Sequence, residues 1–188
     1  MSIKLRKASV KFVGCKPLLF DRYTGSNEAK PEPVDKVYWH KSGEDVLAYM
    51  PQINIYSALS AENTKSVAKM YFGKKAKPIG MAINNSLVID THPILITQHG
   101  QPVRQQDFDS AFTVEHHVAR INKSGTAIPN PKERPCLETP WELNFDIRFS
   151  PSGELTWEVM QQCFDYCGII GLGTYRPLYG GFRVEVTE

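Results

Sequence analysis

Residues 168–183 read Gly-Ile-Ile-Gly-Leu-Gly-Thr-Tyr-Arg-Pro-Leu-Tyr-Gly-Gly-Phe-Arg. Glycine lacks a Cβ, so at Gly171 and Gly173 backbone amides can approach a phosphate closely; Arg176 and Arg183 add positive charge, and Tyr175 and Tyr179 offer ring faces on which bases can stack. That combination suits a polyanion that carries stackable bases, which is single-stranded nucleic acid. The competing explanation is a tight helix-to-strand connection in which the same glycines act as caps. A dinucleotide-binding fingerprint does not fit, because Gly171-x-Gly173 follows a helical segment instead of opening one after a strand.

Other residue types could support different chemistry. The histidines are His40, His92, His99, His116 and His117, and a nuclease using one as general acid or base would need it beside the glycine string. His116 and His117 are neighbours on an expected strand and must point to opposite faces, so they cannot both serve one site; ordinary strand histidines are the simpler expectation. Cys163 and Cys167 lie one helical turn apart, a spacing zinc accepts, with Cys136 or a histidine to complete the set. No second ligand pair is recognisable, so the expectation is thiols packed on a helix face. The chain carries no Gly-x-Ser-x-Gly elbow, Walker loop, His-Glu-x-x-His helix or paired-carboxylate signature, which lowers hydrolase and phosphoryl-transfer readings. No catalytic residue, metal or cofactor is assigned.

The formal net charge of +2 is too small to identify a polyanion partner, so distribution matters more. Residues 1–16 hold Lys4, Arg6, Lys7, Lys11 and Lys16 without a carboxylate, and 65–77 hold Lys65, Lys69, Lys74, Lys75 and Lys77, again without one; Glu28, Glu32, Asp35, Glu44 and Asp45 concentrate acid elsewhere. Lys7 and Lys11 share one face of an expected strand and could attract phosphates, with affinity that falls as salt rises. Lys74 and Lys75 could extend the footprint, although a short lysine run is usually a solvated surface. With 188 residues, 41% hydrophobic and 22% charged, the chain suits one globular domain. It shows neither a secretory leader nor an apolar run long enough to span a membrane, so a cytoplasmic protein with reduced thiols is expected.

These residues need elements to position them. Alternating Ala8, Val10 and Phe12 against Lys7, Ser9 and Lys11 predicts a strand within 3–20, and the Gly- and Pro-bearing stretch 21–36 predicts an exposed loop. Near-helical spacing over 53–72 predicts a helix, broken near 60–64 and stopped at Gly73. Short strands are expected within 81–89, 94–97 and 112–121. The clearest strand is 141–149, whose Trp141, Leu143, Phe145, Ile147 and Phe149 oppose Glu142, Asn144, Asp146 and Arg148 and leave one wet face. The proline-rich stretch 122–140 predicts an extended hairpin, 154–170 a helix, and 182–187 the closing strand. The order is that of a ferredoxin-like βαββαβ core, in which helices cover one sheet face. No internal repeat is present.

A glycine-rich loop before the last strand, a proline-rich thumb and an insertion after strand one together resemble the RAMP superfamily, in particular the backbone subunits of CRISPR surveillance complexes or a phage-encoded relative of them. The resemblance implies an α+β, RRM/RAMP-type single domain over 1–188, with an insertion over 21–52 and a thumb over 122–140. It implies that the glycine loop and a basic sheet face contact single-stranded RNA, or DNA, and that the thumb around Lys123, Lys132 and Arg134 reaches across the strand. Subunits would stack along it as a homo-oligomer or within a ribonucleoprotein complex. Two alternatives remain: a histidine-dependent endoribonuclease of the same superfamily, and a viral protein-interaction factor that engages or mimics a nucleoprotein assembly.

Overall fold

The computed structural model describes residues 5–25, 31–62, 65–123 and 125–188, and for 120–123 the backbone alone. In chain order the strands are β1 (Arg6–Gly14), β2 (Leu18–Leu19), β3 (Trp39–Ser42), β4 (Asp45–Met50), β5 (Leu87–Ile89), β6 (Ile94–Gln98), β7 (Gln101–Pro102), β8 (Phe112–Lys123), β9 (Thr126–Leu137), β10 (Trp141–Phe149) and β11 (Phe182–Thr187). The α-helices are α1 (Gln52–Ser60), α2 (Val67–Tyr71), α3 (Ala76–Ser86), α4 (Phe108–Ala111) and α5 (Trp157–Ile170). The mixture bears out the α+β expectation.

β10 occupies the expected span, burying Trp141, Leu143, Phe145, Ile147 and Phe149 and exposing Asn144, Asp146 and Arg148. That alternation seats it mid-sheet, antiparallel to β1 on one side and to β5 and β6 on the other. The main sheet runs β11-β1-β10-β6-β4-β3, while β2-β9-β8 form a second, smaller sheet. One apolar cluster joins the main sheet to the helices through Ile55 and Leu59 of α1, Val67 of α2, Ile79 and Ile83 of α3, and Met160, Cys163, Phe164 and Cys167 of α5. Each fully buried aliphatic or aromatic side chain contributes about 1.5–3 kcal/mol, so this cluster sets how the helices lie on the sheet. The opposite face of β1, β10 and β11 carries exposed polar residues.

The expected break near 60–64 is present, α1 ending at Ser60 and α2 starting at Val67; Ser66 restarts the chain as N-cap of α2, its hydroxyl accepting from the Lys69 amide at 3.2 Å and donating to the Ala61 carbonyl at 2.6 Å. The structure corrects several expectations. Residues 81–86 are helix, not strand. Ile79, Ile83 and Ser86 are buried at helical spacing, and Pro78 fits the first turn of α3, where its missing N–H would have no helical partner. The first strand stops at Gly14, and the chain then crosses to β2 in the smaller sheet. Part of the loop expected over 21–36 lies outside the described residues. The rest of the insertion over 21–52 is partly structured, since β3 and β4 form a hairpin that extends the main sheet through Tyr49↔Leu95 and Met50↔Ile94.

The extended hairpin begins earlier than 122, because β8 pairs with β9 from Phe112↔Leu137 to Lys123↔Thr126. Pro129, Pro131 and Pro135 share one parity along β9. The carbonyls of Glu133 and Pro135, of the same parity, face away from β8 and accept from the Lys36 ammonium and from the Phe20 amide. All three prolines therefore place the nitrogen that lacks a hydrogen on the side away from β8 and leave the β8 ladder intact; β2 takes that side beside Cys136 and Leu137, and Pro129 and Pro131 hinder strand pairing along the part that β2 does not cover. Among the described residues no helix is long and apolar enough to cross a membrane.

Candidate nucleic-acid interface

The glycine string is delivered by α5, whose N-cap Thr156 accepts from the Val159 amide at 3.3 Å. Gly171 caps the other end at φ +85. From 171 to 176 the sign of φ alternates: Gly171 (+85), Gly173 (+76) and Tyr175 (+54) are left-handed, while Leu172, Thr174 and Arg176 are not. Positive φ at alternate residues folds the chain into a tight turn, and an αR-αL pair in such a turn can aim two successive N–H groups at one anion. A side chain at Gly173 would strike the Leu19 carbonyl, and one at Gly180 the Leu172 carbonyl. The Leu172, Thr174 and Gly180 amides are engaged, donating to Gly180 (2.9 Å), Leu19 (3.0 Å) and Pro17 (2.7 Å) carbonyls. The Gly173, Tyr175 and Arg176 amides make no hydrogen bond among the described residues. The turn is thus a tight connection, as the competing explanation held, and also a row of uncommitted donors.

Arg134 holds this turn from below. Its guanidinium is buried, reaches Asp21 Oδ2 through Nε (2.9 Å) and Nη2 (2.7 Å), stacks 4.7 Å from the Tyr175 ring centre and donates from Nη1 to the Tyr175 hydroxyl at 3.4 Å. One side chain of the hairpin therefore ties the insertion to the turn and supports the left-handed Tyr175. Expected as a thumb cation that meets nucleic acid, Arg134 is instead committed inside the protein. Nearby, Lys36 is buried against the Glu133 carbonyl; burial lowers its pKa, Lys132 and Arg134 lower it further, and Asp21 and Glu133 oppose them.

On the other side of Tyr175 stands His117, its ring 4.9 Å away, 6.1 Å from Tyr179 and with Nε2 3.7 Å from Glu115 Oε2. Its buried Nδ1 has no hydrogen-bond partner. Tyr179 donates to Glu115 Oε2 at 2.9 Å, and that bond, with burial, pushes the phenol up to about 12. His116 lies on the opposite face of β8, as strand geometry requires, 3.8 Å from Glu133.

Beside the turn, Asp21, Tyr38, Met50, Asn54, Ser57, Gly173, Thr174 and Arg176 line a cleft of about 240 Å³. Arg176 is half-buried with no ion-pair partner among the described residues, and burial lowers its pKa. Lys65 Nζ donates to the Arg176 carbonyl at 3.4 Å, and the Arg22 guanidinium lies 5.8 Å from the Tyr38 ring centre.

Other expected contacts lie elsewhere. Lys7, Lys11 and Arg183 occupy the uncovered sheet face, where charge is cancelled locally: Lys11 pairs with Glu142 (2.9 Å), Arg148 with Asp90 (2.8 Å) and Arg183 with Glu185 (3.5 Å). A face so balanced attracts a polyanion weakly, which corrects the expectation of a basic sheet platform. Lys75 pairs with Glu154 at 2.8 Å beyond the helical layer, while Lys74 is exposed beside it. The Lys123 side chain lies outside the described residues, and Lys132 is half-buried opposite His117. Sequence reasoning missed Asp21, Arg22, Lys36, Tyr38, Asn54 and Lys65. Lys65 was visible as the first of the acid-free lysine run, but the others carried no motif.

Cys136, Cys163 and Cys167 are buried free thiols, each pushed up to about 12 by burial, and Cys15 is exposed. Cys163 and Cys167 pack in the apolar cluster under the sheet; among the described residues no group of three or more histidine, cysteine and carboxylate side chains is placed to hold a metal ion.

Comparison of the chain with protein families and with curated proteins finds no match. Among solved structures it is similar to one chain of the Type III-B Cmr-beta complex bound to cognate target RNA, with a TM-score of 0.50 and 14% sequence identity over 100% of this chain. That likeness establishes a shared fold, and this chain spans 62% of the length of that one.

Proposed function

We infer that this protein is a non-catalytic binder of single-stranded nucleic acid, RNA before DNA, that works as a RAMP-type subunit of a ribonucleoprotein assembly, one copy beside another along the strand. The ferredoxin-like part of this reading is supported by the antiparallel order β11-β1-β10-β6, with helices between β1 and β6 and again between β10 and β11. A chain of similar fold belongs to a complex bound to target RNA, which favours RNA. The observation that carries the reading is the alternating-φ turn whose Gly173, Tyr175 and Arg176 amides make no hydrogen bond among the described residues, beside a half-buried guanidinium that pairs with no carboxylate among them. Backbone donors and an unpaired arginine suit phosphate and carry no base preference of their own.

The test is fluorescence anisotropy with labelled single-stranded RNA and DNA across a salt series. Binding should weaken with salt, and Arg176→Ala should reduce the slope of log affinity against log salt by about 0.7, the share of one phosphate on a single strand. Absence of binding at low salt removes the reading.

A second reading, a RAMP-type endoribonuclease, is favoured by one observation: the His117 ring stands beside the glycine turn, 4.9 Å from the Tyr175 ring. Labelled RNA cleaved by the parent protein and spared by His117→Ala would establish it; RNA left whole would remove it.

A further inference from the structure

We propose that the cleft beside the glycine turn takes one unstacked guanine nucleotide. The proposal rests on the reading that the turn holds a backbone phosphate, and adds a base specificity that such contacts lack. At about 240 Å³ the cleft falls below the roughly 300–1,000 Å³ of drug-sized pockets, which limits it to a single heterocycle. Its walls supply what a base needs, with the Tyr38 ring and the Met50 side chain as apolar surfaces.

Its polar groups lean toward acceptors. Both Arg134 contacts fall on Asp21 Oδ2, and Oδ1 takes no hydrogen bond among the described residues. The amide nitrogen of Asn54 donates to Met50 Sδ at 3.4 Å, and Asn54 Oδ1 likewise takes none among the described residues. Two carbonyl-type oxygens in one small cleft select a base edge with two adjacent donors. Among the four RNA bases guanine has such an edge in its ring N–H and 2-amino group, whereas adenine and cytosine offer one amino group and uracil one ring N–H. The carboxylate does not repel the ligand's phosphate, because Arg134 neutralises Asp21 while Arg176 on the cleft wall has no ion-pair partner among the described residues. The same chemistry would accept a guanine within a strand or a free guanosine monophosphate.

The experiment compares four labelled RNAs, each a uridine tract with a central G, A, C or U, by anisotropy at fixed salt. The tract with G should bind roughly tenfold tighter than the others, the discrimination of a good bidentate base contact. Asn54→Ala should abolish most of that preference while keeping the parent's melting temperature and salt slope, since Asn54 touches no phosphate donor. Unlabelled guanosine 5′-monophosphate is added as competitor against the G tract: displacement assigns the site to free nucleotide, and failure to displace with the preference intact assigns it to the strand. Four equal affinities that still fall with salt and with Arg176→Ala would overturn the guanine proposal and leave the phosphate reading standing. A G preference that survives Asn54→Ala and Tyr38→Ala unchanged would also overturn it.

Discussion

Replacing Arg134 by methionine separates a residue that shapes the turn from one that meets the ligand. Its side chain is 5% exposed and that of its partner Asp21 24%. Removing one member of a buried ion pair costs about 3–5 kcal/mol because the other charge is stranded; water reaching Asp21 puts Arg134→Met at the low end, about 3 kcal/mol. For a domain of this size, at about 2–4 °C per kcal/mol, the melting temperature should fall by about 6–12 °C. Adding Asp21→Asn removes the stranded charge, so the double variant should lose less than the sum of the singles, by roughly 1–3 kcal/mol of coupling. Nucleic-acid affinity should also drop, because Tyr175 loses its support in the left-handed conformation. The salt slope should stay at the parent value, since no phosphate contact has been removed. Calorimetry and a salt series on one preparation read both effects. A melting temperature within about 2 °C of the parent, or a slope lost to the same extent as in Arg176→Ala, would refute the assignment of Arg134 to the scaffold.

Native protein should react rapidly with a thiol reagent at Cys15 alone, and all four cysteines should react in denaturant; a second fast thiol under native conditions would contradict the burial of Cys136, Cys163 and Cys167. Each buried thiol is raised from 9.0 to about 12. Between those values the unfolded chain releases protons that the folded one keeps, so stability should fall as pH rises, by about 1.4 kcal/mol per pH unit per thiol, and be fully present below pH 9. Flat urea-unfolding midpoints from pH 9 to 11 would argue against it. Pro131→Val restores an outward N–H on β9 and should promote edge-to-edge association, seen as elution on gel filtration that depends more steeply on concentration than the parent's; an elution profile indistinguishable from the parent's would show that the proline does not guard that edge.

Local rules decided much of this molecule. Strict alternation over 141–149 is enough to specify a strand with one wet face, and a capped apolar stripe is enough for α5, because both depend on neighbours within a few residues. Residues 81–86 show where such rules stop. Ile79 and Ile83 fit a helix face, yet a short apolar run is equally compatible with a strand until the buried cluster receives it.

The glycine string was legible as a turn with spare amides, since composition and placement after a helix restrict the backbone there. Its surroundings were not. That Arg134 turns inward to Asp21, that Lys11 is cancelled by Glu142, and that Asn54 and Arg176 come to line one cleft all depend on residues brought together from distant parts of the chain. A charge in a sequence is only a type. Whether it serves a ligand or a neighbour is settled by which opposite charge folding places within reach, and only the tertiary structure contains that distance.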